Sequence, residues 1–167
     1  GSDLVAVGRI AGKREGGRAK IELCTYTLSQ VEQVLKGPGR DWVYVASSGR
    51  PLSAAQCREL SAAQPGQLPG LARHPLTFAP IGSRVLLFLR RPSEELMPGR
   101  DIGALPIYLP WGGPEACYGL DEADAFYRLQ PLGALPCPPG DARDRMYGQI
   151  VTLAALRELM AAAPDPW

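Results

Sequence analysis

Histidine is almost absent from this sequence: His74 is the only one in 167 residues. That excludes any metal site built on a histidine pair or triad and leaves a single imidazole to serve as a general base. Lysine is scarce too, with only Lys13, Lys20 and Lys36 among the 18 basic residues. Against 17 acidic residues the formal charge is +1, so no global field draws the chain to nucleic acid or to an anionic membrane surface. Long apolar runs are missing as well. The densest, 85–89, falls far short of the roughly 20 residues that span a bilayer, so no transmembrane helix is expected. There is no C-x-x-C pair and no G-x-S-x-G elbow, which removes the usual sequence signals for a redox dithiol and for a serine hydrolase.

What is abundant is punctuation. The 19 glycines and 17 prolines make up about a fifth of the chain, against roughly 12% in average usage, so a long helical bundle is not expected. Hydrophobic residues at 46% and charged residues at 21% are close to globular averages, and the length suffices for one core. A single domain over 3–163 is expected. Gly1-Ser2 reads as the scar of a cleaved tag and 164–167 as a frayed tail, and an upstream signal peptide or lipidated cysteine is compatible with that start.

Residues 4–10 have strand character, and the glycine-rich stretch 12–17 reads as a turn to the next strand. In 20–35 the apolar phase slips from Ile21, Leu23 and Thr25 to Tyr26 and Leu28 and then to Val31, Val34 and Leu35, which predicts a bulge. Lys36-Gly37-Pro38-Gly39 ends that strand and 42–45 begins a third, so a meander is expected. A long middle crossing over 47–80 follows, with Ser53 able to cap a short helix through 54–60. Residues 84–90 lack alternation and read as a central strand buried on both faces, with weaker strand signals at 105–111 and 125–130. Thr152 can cap a helix over 153–163, whose Leu153, Leu156, Leu159 and Met160 recur at helical spacing.

The segments Val5-x-Val7-Gly8-Arg9-Ile10, Val31-Glu32-Gln33-Val34-Leu35-Lys36-Gly37-Pro38 and Gly82-Ser83-Arg84-Val85-Leu86-Leu87-Phe88-Leu89-Arg90, with Tyr26 between, resemble those of uncharacterised bacterial secreted domains. Those domains look like the OB-fold group that includes tissue inhibitors of metalloproteinases and netrin modules. The resemblance covers about half of the chain. It implies a mainly β, OB-like five-stranded Greek-key barrel with a long middle crossing and a C-terminal helix. The inhibitors in that group chelate the zinc of their target through an N-terminal cysteine, where this sequence shows Asp3, so the implied role is interaction rather than protease inhibition.

Cys24, Cys57, Cys117 and Cys137 are even in number and widely spaced, which fits two structural disulfides and a secreted or periplasmic address. Sequence proximity favours Cys117–Cys137, leaving Cys24–Cys57. Two catalytic alternatives are weighed beside this. One uses His74 as base, and the other uses Asp121, Glu122 and Asp124 as clustered carboxylates for hydrolase or isomerase chemistry or a weak metal site. Gly8, Gly12 and Lys13 superficially suggest a phosphate loop, but the spacing is short and Arg14 stands where Ser or Thr is needed. Arg84, Arg90, Arg91 and Arg100 have only Phe88 close by for stacking and read as solvated strand ends. Trp42, Tyr44, Tyr108 and Trp111 form a candidate binding surface. The sequence therefore points to a non-enzymatic binding or protein-interaction module with no cofactor, whose partner is a protein or peptide rather than nucleic acid. An envelope lipoprotein is a further alternative.

Overall fold

The computed structural model describes residues 1–18, 21–48, 74–97, 101–111, 118–128 and 152–162. The chain is mainly β. Strands β1 (Leu4–Arg18), β2 (Ile21–Lys36) and β3 (Trp42–Ser48) form the expected antiparallel meander. A four-residue helix α1 (Pro75–Phe78) leads into β4 (Arg84–Arg90), which is followed by β5 (Asp101–Ile102), β6 (Leu105–Pro110), β7 (Tyr118–Leu120), β8 (Phe126–Arg128) and the helix α2 (Leu153–Ala162). The strands hydrogen-bond in the order β5-β6-β3-β2-β1-β4-β7-β8, and β6 pairs in addition with β4. The β3–β6 pair is parallel; the others are antiparallel. Among the described residues the sheet thus has eight strands where five are expected.

The glycine-rich stretch 12–17 is not a turn. Strand β1 runs through it, with Gly12 opposite Leu28 and Gly16 opposite Cys24. The bulging expected of 20–35 is present in the second half of β2, where the β1–β2 register shifts opposite Val7/Gly8 and Val5/Ala6; a further shift between Ile10 and Gly12 adds a residue on β1, and Cys24–Gln30 pair with β3 without a slip. Each shift moves later residues to the other face, so Val31 and Val34 reach the core despite their odd spacing. At the β2–β3 turn Gly37 has φ +100° and its Cα faces the Asp3 carbonyl, so close that a Cβ would overlap it.

Three apolar clusters follow from the period-2 alternation. On one face of the sheet Leu4, Ala6, Ile10, Val43, Val45, Val85, Leu87, Leu89 and Tyr108 pack with Leu76 and Ala79 from around α1. On the other face of β1 and β4, Val5, Val7 and Leu86 meet Leu120, Phe126, Leu153 and Leu156, so β4 is buried on both sides as expected. The third cluster joins Cys24, Tyr26 and Ala46 to Ile107 and Met97. Helix α2 is capped as predicted, Thr152 Oγ1 accepting from Ala155 N at 3.2 Å. It buries Leu153 and Leu156, each contributing about 2 kcal/mol, while Leu159, expected on that face, is exposed. No described helix is long and apolar enough to cross a membrane. The helix expected over 54–60 and the cysteines Cys57, Cys117 and Cys137 lie outside the described residues.

Candidate functional site

The four aromatics read as one surface are not brought together. Tyr44 pairs with Ile107 and Val45 with Tyr108 across the parallel strands, so the two tyrosines point to opposite faces. Tyr108 is fully buried in the first cluster. Tyr44, half-buried, sits edge-on to Tyr26 with ring centroids 6.4 Å apart, and the Arg14 guanidinium lies over it at 5.7 Å. Trp42 begins β3 and Trp111 follows the end of β6, which puts them at opposite ends of that parallel pair.

Trp111 is the member that faces solvent, with 39% of its surface exposed. Its backbone N–H donates to Phe88 O at 2.8 Å, which anchors the residue beside β4, and the Arg90 guanidinium stacks 5.3 Å from its ring centroid. Arg91, next along, is committed inward: it lies over Tyr108 and donates to Ile107 O at 2.7 Å and to Asp101 at 3.1 Å. Arg90 and Trp111 therefore form an exposed cation–aromatic pair on a backbone held by strand pairing.

A second concentration of polar groups lies under α1. Along β2, Thr25, Thr27 and Ser29 alternate onto the core-facing side, opposite Ser47, Val45 and Val43 of β3, and all three are fully buried. Lys13, opposite Thr27 on β1, donates from Nζ to the carbonyls of Thr77 and Ala79 at the end of α1. Ser47 Oγ and Thr77 Oγ1 share a hydrogen bond of 2.7 Å. His74 caps the helix: its Nδ1 accepts from Leu76 N at 3.2 Å. Burial drives its pKa down to about 4, so the ring is neutral at physiological pH with its proton on Nε2. The Oγ atoms of Thr27 and Ser29 and the Nε2 of His74 are buried without a hydrogen-bond partner among the described residues.

The remaining candidates have structural work. Asp121 Oδ1 accepts from Ala123 N at 2.9 Å and Ala125 N at 3.0 Å, closing the turn between β7 and β8. Asp124, in the left-handed region with φ 57°, accepts from Arg84 at 2.8 Å, while Glu122 is exposed. The carboxylates do not converge, and among the described residues no cluster of His, Cys, Asp and Glu could hold a metal. Arg84 is bound further to Glu32, which also holds Arg9 at 2.8 Å, so this charged row ties β1, β2 and β4 together on the outer side. Burial opposes the charge on Arg84, but the hydrogen bonds it donates to Asp124 and Glu32, with their negative charge, outweigh it and raise its pKa. Burial likewise raises the pKa of Cys24, against a hydrogen bond with Tyr26, so Cys24 is a poor nucleophile at neutral pH.

Sequence reasoning missed the polar layer under α1 and the pairing of Arg90 with Trp111. The signal for the first was present as Thr25-x-Thr27-x-Ser29. Against protein-family models, curated proteins and solved structures, the chain finds no match.

Proposed function

We propose that the chain is a binding module built on an OB-type barrel that engages a protein or peptide partner through the surface around Trp111 and Arg90. The barrel reading is supported by the pairings. Each of β1, β2, β3, β4 and β6 pairs with two others of that set, in the cycle β1-β2-β3-β6-β4-β1. A three-strand meander, a crossing, and a last strand joining the third to the fourth agree with the five-stranded Greek-key arrangement of that fold. In this reading β5, β7 and β8 are additions at the rim, and α1 closes one mouth.

The observation that carries the binding role is the exposed Trp111 ring with the Arg90 guanidinium stacked on it. Tryptophan and arginine are the residue types enriched at protein-interaction hot spots, because each offers a large rigid plane with a polar rim. The catalytic alternative draws on groups already engaged: His74 as a buried helix cap, Asp121 and Asp124 in a turn and an ion pair. An extracytoplasmic address remains part of the proposal and rests on the four cysteines alone.

Selection from a displayed random-peptide library tests the role. Enrichment of a peptide class by the native chain, lost for Trp111→Ala and reduced for Arg90→Ala, is expected. Absence of enrichment, or enrichment that survives Trp111→Ala, contradicts it.

A further inference from the structure

We infer that the polar layer beneath α1 is a binding site for internal water, with Thr27, Ser29 and His74 as its ligands. Thr27 and Ser29 are fully buried on neighbouring core-facing positions of β2, and His74 is nine-tenths buried. Their Oγ1, Oγ and Nε2 atoms have no hydrogen-bond partner among the described residues. The side chains opposite on β3, Val45 and Val43, offer them no hydrogen bond, and on β1 Ser29 faces Ile10 while Thr27 faces Lys13, whose Nζ bonds the carbonyls of Thr77 and Ala79. Gly8 also belongs to this face; a Cβ there would stand 3.0 Å from Ser29 Oγ, so its bare Cα leaves the hydroxyl room.

The chemistry of the three atoms selects the ligand. His74 accepts from Leu76 N through Nδ1, so Nε2 carries the proton and needs an acceptor. The two hydroxyls can each donate or accept. A metal cation would be repelled by an N–H donor, whereas a neutral water accepts from Nε2 and can both donate to and accept from the hydroxyls; buried waters typically make two to four such bonds to groups of this kind. The neighbouring groups leave the layer polar without competing for these atoms. Lys13 Nζ is turned to the carbonyls of Thr77 and Ala79, and Ser47 is bonded to Thr77. Leaving three buried polar atoms unsatisfied would be costly and is rare in folded proteins. The water therefore belongs to the seating of α1 against β1, β2 and β3.

A crystal structure of the native chain at a resolution that shows ordered solvent tests this directly. Water density within hydrogen-bond distance of at least two of the three atoms is expected, and density at one or none overturns the inference. The second arm is urea unfolding of Thr27→Val, which keeps nearly the same volume, with Ser29→Ala as the alternative variant. If the hydroxyl binds water, its removal lowers the unfolding midpoint. If it is dry and unsatisfied, removal raises the midpoint, and a raised or unchanged midpoint overturns the inference.

Discussion

His74 links this fold to pH. Its folded-state pKa is about 4, against 6.5 for an unperturbed imidazole, because burial penalises the charged ring. On acidification the unfolded chain therefore takes up a proton first. The stability contributed by the neutral ring is complete above pH 6.5, is lost as pH falls toward 4, and does not change further below that. The gap corresponds to about 3 kcal/mol. Protonation also removes the Nδ1 acceptor that caps α1. Since this is the only histidine, little else titrates in the upper part of that window. Urea unfolding from pH 7 to 4.5 is expected to show falling stability for the native chain and a flatter profile for His74→Asn, which keeps a capping acceptor without the titration. Equal slopes for the two proteins would show that His74 is not buried as a neutral cap.

At the scale of elements, α1 has only four residues and holds its place through polar side chains from two strands and through its own Leu76. Lys13 bonds the carbonyls at its end, Ser47 bonds Thr77, and Leu76 enters the first core cluster. Hydrogen bonds to a charged donor contribute roughly 1.5–3 kcal/mol each, so Lys13→Met should destabilise the fold by about 2 kcal/mol or more while leaving the far-ultraviolet circular dichroism unchanged. A native midpoint in the variant would mean that α1 is held by apolar packing alone. This element was not legible in the sequence. Its cap is a histidine rather than Ser, Thr, Asp or Asn, and Pro75 at its first turn reads equally well as loop. The longer α2 was legible because a threonine cap and a leucine stripe state its start and its face locally. The same logic explains the misread glycines. Residues 12–17 carry a local turn signal, yet extended pairing with Leu28 through Cys24 overrides it, and pairing with the following strand leaves no mark on a glycine.

At the scale of the molecule, the strand-dominated class, the meander and the central β4 follow from alternation and from the unbroken apolar run at 84–90. The candidate surface did not, since strand period fixes which residues share a face only once register is known. Tyr44 and Tyr108 separate because they sit one step apart on paired strands, and Trp111 gains its partner from the end of β4. All of this depends on β6 joining β3 on one side and β4 on the other. Cross-strand nuclear Overhauser effects in the native chain test that junction most directly. Contacts from Ile107 and Tyr108 to Tyr44 and Val45 are expected together with contacts from Leu109 and Pro110 to Leu89 and Arg90 in one folded species. Contacts from β6 to only one of the two strands would contradict it.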